Sequence, residues 1–149
     1  MSHTSSVDAI VFTDLHALQL ALSDLGKEGV KCSLTKNGTP RAYYPNQAGL
    51  GPADYVINLP DCAYDIGLYK DKERKGYVAR CDLFANRIGH YLGANATGNE
   101  GQEQAQLGKL FNRYAVHAVT RKAVSQGMTV RRIPGADGSV RLVLGGIAA

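Results

Sequence analysis

The stretch that decides the fold runs from Tyr64 to Asp82: Tyr-Asp-Ile-Gly-Leu-Tyr, then Lys70-Asp-Lys-Glu-Arg-Lys-Gly76, then Tyr-Val-Ala-Arg-Cys-Asp. Both flanks alternate apolar and polar residues at period two. The seven-residue break between them carries six charges, the pattern of a hairpin with one buried face. Register follows from burial. Pairing Tyr64, Ile66 and Leu68 with Tyr77, Ala79 and Cys81 makes one face wholly apolar, whereas a one-residue slip would mix the two sets. The second face then carries Asp65, Gly67 and Tyr69 beside Val78, Arg80 and Asp82.

Outward from this hairpin the chain divides into short elements. Towards the N-terminus, Ser6–Phe12 reads as an inner strand. A helix follows, capped by Thr13 or Asp14, with Leu15, Leu18, Leu22 and Leu25 on one stripe and Gly26 and Gly29 at its end. Val30–Thr35 reads as a strand closed by Asn37-Gly38, and 36–53 as a mobile loop containing Tyr43-Tyr44. Asp54–Leu59 is another strand. Beyond the hairpin come a short helix over Leu83–Leu92, a mobile polar loop over 93–101 and a long amphipathic helix over Gln102–Gln126. Met128–Ile133 and Ser139–Leu144 form a terminal hairpin turning at Asp137-Gly138. Helices are too few to alternate with the strands. The expected fold is therefore α+β: one domain over 1–149, a mostly antiparallel sheet of six or seven strands, and two or three helices on one face.

Composition restricts the function. No run approaches the roughly 18 apolar residues of a membrane span, and the start Met-Ser-His-Thr-Ser-Ser-Val lacks a signal-peptide layout, so a cytoplasmic location without membrane contact is expected. Cys32, Cys62 and Cys81 are an odd number, read as reduced thiols. Cys62 follows Asp61 and Cys81 precedes Asp82, and a neighbouring carboxylate raises a thiol pKa instead of activating it. The spacing matches no metal or cofactor motif and no phosphate-binding glycine loop, so the expectation is a protein with no catalytic residues, no metal and no cofactor.

Two constellations remain as candidate sites. Asp65, Arg80 and Asp82 on the second hairpin face could hold a small ligand or cation, and their plainer reading is a cross-strand ion pair. Lys109, Arg113, His117 and Arg121 recur at four-residue steps on the long helix, opposite its apolar stripe, with no acid inside the row. Arg131, Arg132 and Arg141 add charge in the terminal hairpin. Residues 1–74 balance at −2 and residues 75–149 at +6, which adds to the overall +4. Such a ridge suits an anionic partner, nucleic acid included, although as a plain solvated helix face it needs none.

Over nearly its whole length the chain resembles an uncharacterised family of small plastid, cyanobacterial, bacterial and phage proteins, called domain of unknown function 1257. The resemblance rests on Met1-Ser2-His3, Asp14-Leu15-His16-Ala17-Leu18, Asp24-Leu25-Gly26, Tyr64-Asp65-Ile66-Gly67, Cys81-Asp82, Arg113-Tyr114-Ala115 and Asp137-Gly138-Ser139-Val140. Family members often have Phe where this chain has Thr4, and an aromatic-rich run where it has Leu83-Phe84. The resemblance implies an intracellular domain in the company of small partner proteins and a ring-forming ATPase, and it brings no activity. The leading expectation is a non-catalytic protein-interaction or adaptor module. A nucleic-acid-binding accessory protein and a small-ligand or metal-binding protein are the alternatives.

Overall fold

A computed structural model describes residues 4–44, 49–93, 103–136 and 140–147. The order is β1 (Thr4–Phe12), α1 (Leu15–Lys27), β2 (Ser33–Gly38), β3 (Ala53–Asn58), β4 (Ile66–Lys70) and β5 (Tyr77–Asp82). A 3-10 turn (Phe84–Asn86), α2 (Arg87–Leu92), α3 (Glu103–Gln106), α4 (Gly108–Ser125), β6 (Met128–Pro134) and β7 (Val140–Ile147) complete it. The fold is α+β, with every strand pairing antiparallel. The strands divide into a five-stranded sheet, order β1-β5-β4-β3-β2, and a separate β6–β7 ribbon.

β4 and β5 pair in the register that burial demands, Ile66 opposite Cys81 and Leu68 opposite Ala79. All four are fully buried, and the face they form packs beneath Leu18, Leu22 and Leu25 of α1 and Leu110, Phe111 and Tyr114 of α4. Burying a Leu or Phe side chain is worth about 1.5–3 kcal/mol, so this face dominates the stability of the sheet. Phe12, at the end of β1, meets Tyr114 edge-on at 4.7 Å and Phe111 at 5.8 Å, joining the first strand to the last helix.

Local signals explain the ends of α1. Asp14 caps it, its Oδ1 accepting from the Ala17 N–H at 3.0 Å. At the other end Gly29 takes φ +95°, Gly29 N–H donates to Gly26 and Val30 N–H donates to Leu25, the paired bonds of a Schellman turn. The second strand starts three residues later than Val30, because pairing begins only at Ser33 opposite Asn58. Val30 and Cys32 are spent packing against the core. The long helix divides at Leu107, whose non-helical backbone (φ −110°, ψ 17°) separates α3 from α4 and whose side chain is fully buried. The segment 94–101 and the Asp137-Gly138 turn lie outside the described residues.

The connection between β2 and β3, expected as a mobile loop, lies over the second face of the sheet in its described parts. Leu50, Ala53, Val56 and Tyr69 form a small second core with Ala42 against it. Pro40 is buried over Gly67, which has no side chain to obstruct it.

Candidate functional site

The charged face of the central hairpin holds this strap down. Asp65 is 3% exposed, and its carboxylate accepts from four N–H groups: Arg41 N (3.0 Å), Arg41 Nε (2.9 Å), Arg41 Nη2 (2.8 Å) and Leu59 N (3.1 Å). Burial would raise this carboxyl, but the Arg41 guanidinium and the two backbone N–H groups together hold it below the usual carboxylate value. The guanidinium that pairs with Asp65 is therefore that of Arg41, from the strap, and not that of Arg80. Arg80 instead lies over the Tyr69 ring, 4.9 Å from its centroid. Asp82 is fully buried. Its Oδ2 accepts from Tyr43 N at 3.0 Å and its Oδ1 from Phe84 N at 2.9 Å. The expected trio is thus two clamps, each carboxylate tying one point of the strap or the following turn to the sheet. Tyr43 stands between Tyr44 and Phe84, edge-on to both.

The cationic row of α4 is also engaged. Within the row no acid occurs, but α1 and its two cap residues supply three. Arg113 pairs with Glu28, His117 Nε2 lies 2.6 Å from Asp24 Oδ2, and Arg121 Nε lies 2.7 Å from Asp14 Oδ2. The Glu28 carboxylate pushes the Arg113 guanidinium up. Burial would raise the Asp14 carboxyl, but Arg121 and the Ala17 and His16 N–H groups hold it down. The adjacent residues Arg113 and Tyr114 touch opposite ends of α1, since the Tyr114 hydroxyl accepts from Thr13 N at 2.9 Å and Asp14 N at 3.1 Å. A ridge expected to face an external anion is in large part the seam between two helices. Lys109 is half-buried and has no carboxylate partner among the described residues.

The terminal arginines separate by register. Arg131 lies opposite Val143 and Ile133 opposite Arg141, so these four share one face of the ribbon. Arg132, opposite Leu142, lies on the other face and reaches His117, Nη2 to Nδ1 at 3.3 Å. A guanidinium only donates, so Nδ1 accepts and the His117 proton sits on Nε2, towards Asp24. The chain Asp24–His117–Arg132 ties the ribbon to the helical layer and leaves Arg131 and Arg141 outermost.

Two features escaped the sequence. First, Ala85 (φ 55°, ψ 24°) and Asn86 (φ 54°, ψ 29°) are consecutive left-handed residues without glycine, an arrangement costing of order 1–3 kcal/mol each. They interrupt the helical reading of Leu83–Leu92. Second, these residues form one wall of a cavity of about 350 Å³, with Asp61, Cys62 and Ala63 opposite and Arg87, His90 and Tyr91 on α2. A second cavity of about 360 Å³ lies between Thr13 and the charged turn at Lys70–Tyr77. Leucine spacing carried the sequence reading of this segment as a helix. The two non-glycine left-handed residues have no such signature. Among the described residues no cluster of three His, Cys, Asp or Glu side chains is placed to hold a metal, and no helix is long and apolar enough to cross a membrane. Burial pushes the Cys32 and Cys62 thiols up, away from the nucleophilic thiolate.

The chain matches no family profile, no curated protein and no solved structure.

Proposed function

We propose that the protein is a non-catalytic interaction module that docks an extended, acidic segment of another protein along the β6–β7 ribbon. The observation that carries this reading is the ribbon's unburied apolar content. Val130, Ile133, Leu142, Val143 and Leu144 lie in it, yet no described side chain of either strand is buried. Leu144 is 44% exposed, and Val124, at the end of the neighbouring α4, is 59% exposed. A lone two-stranded ribbon is marginal in water, and its unpaired edge is a template for a further strand. Charge selects the occupant. The strands hold three arginines and no acid, so a second copy meets like charge, whereas an acidic segment meets Arg131 and Arg141. The resemblance noted above sets such an adaptor beside small partner proteins and a ring-forming ATPase.

Nucleic acid is the competing anionic partner. With Arg113, His117 and Arg121 spent on α1, this reading rests on Lys109, Arg131 and Arg141, because a two-stranded ribbon also fits a major groove. Hydrogen exchange of β7 amides separates the two. An eight-residue peptide alternating Val and Glu should protect β7, its Val/Lys counterpart should not, and Arg131→Glu with Arg141→Glu should abolish the effect. The proposal fails if β7 is unprotected at saturating peptide concentration. It also fails if a DNA duplex binds more tightly than the peptide, with an affinity that falls steeply with salt.

A further inference from the structure

We infer that the cavity between the Asp61–Ala63 turn and α2 is a binding site for a small zwitterion of amino-acid size, independent of the ribbon. Its volume of about 350 Å³ lies within the range of pockets that hold small molecules, roughly 300–1,000 Å³. Both signs of charge line it. Asp61 stands on the turn, Arg87 and His90 on α2, and no ion pair joins Asp61 to Arg87 among the described residues. A purely anionic ligand would meet the Asp61 carboxylate and a purely cationic one the Arg87 guanidinium. A ligand carrying both charges satisfies both walls, its carboxylate towards Arg87 and His90 and its ammonium towards Asp61.

The walls are held in place independently of any ligand. The Tyr91 hydroxyl donates to the Asp61 carbonyl at 2.8 Å, fixing α2 against the turn. Arg87 stands near the Tyr64 side chain, which is itself buried in the core. Asn86 Oδ1 is shut off from solvent without a hydrogen-bond partner. Its side chain lies against Gly89, at a place any Cβ would occupy. The strained Ala85–Asn86 pair, Ala85 exposed and Asn86 half-buried, shapes this wall beside Arg87. Ala63 and Ala85 leave room for a small side chain.

Titration calorimetry with the twenty free amino acids tests the site, with acetate and methylamine as single-charge controls. Saturable binding of amino acids with small side chains is expected, with neither control matching it. Arg87→Gln and Asp61→Asn should each weaken binding at least about tenfold, the loss of one charge-assisted bond. Ala63→Leu, at an exposed wall position, should block the cavity without touching a charged group. Circular dichroism melting confirms that each variant is folded. The inference is overturned if no amino acid binds, if all three variants bind as wild type does, or if acetate or methylamine binds as tightly.

Discussion

Asp65→Asn is the sharpest test of how the second face of the sheet is held. The native carboxylate accepts two N–H groups on each oxygen: Arg41 N and Nε on Oδ2, Arg41 Nη2 and Leu59 N on Oδ1. Asparagine keeps the shape but turns one oxygen into a donor. Whichever way the amide turns, two of the four N–H groups then face another donor. A hydrogen bond to a charged group is worth about 1.5–3 kcal/mol. The Arg41 side chain is 48% exposed, so water recovers part of its loss. The expected net destabilisation is about 3 kcal/mol at neutral pH, a large fraction of the 5–15 kcal/mol typical of a domain.

The pH dependence has a definite sign. The folded carboxyl lies below its unfolded value, so its contribution is complete above the unfolded pKa of about 3.9 and is lost as pH falls through the folded pKa. Urea titrations of wild type and variant between pH 7 and 3 should therefore show a gap that is constant in the upper part of the range and narrows below about pH 4. Chymotrypsin should cleave the variant faster after Tyr43, because the strap carrying it is released; the Tyr44–Pro45 bond resists the enzyme in either form. A neutral-pH gap below about 1 kcal/mol, or one that persists undiminished at the lowest pH, would refute the clamp.

Two further outcomes follow from packing. Tyr114→Phe deletes the hydroxyl that accepts from both Thr13 N and Asp14 N at the start of α1, and should cost about 1–3 kcal/mol in thermal or urea unfolding without altering the ribbon. Gly67→Ala places a Cβ 2.6 Å from Tyr69 Cε2 and 3.0 Å from Pro40 Cγ. Because the Tyr69 hydroxyl is bonded to the Gly51 carbonyl, the ring cannot swing aside freely. The variant should lose about 1–3 kcal/mol and show faster strap proteolysis, and wild-type behaviour in both assays would contradict the close packing of strap on sheet.

The parts legible in the sequence are those governed by short-range periodicity. Alternation at period two sets the β4–β5 register, because a slip would expose Ile66 and Leu68. Leucine spacing, Asp14 and Gly29 mark α1 from cap to Schellman turn, since these interactions span five residues or fewer. The same local reading carried the basic row of α4, but not its partners. Glu28 and Arg113 are 85 positions apart, and only the docking of α1 on α4 brings acids against a row that contains none.

The site followed the same division. Two carboxylates beside one another on a sheet face were visible in the alternation of Tyr64–Asp82, but beside the nearby N–H groups of Leu59 and Phe84 their donors include Arg41 and Tyr43, more than 20 positions earlier. The left-handed pair at Ala85–Asn86 has no glycine to announce it, and the cavity behind it exists only where the Asp61–Ala63 turn meets α2. By itself the sequence determined α1, the central hairpin and the main core face, because backbone periodicity and the removal of apolar surface from water act on neighbours along the chain. Only the tertiary structure decided which charges neutralise one another and which stay free to meet a partner, because an ion pair depends on proximity in space across long sequence separations.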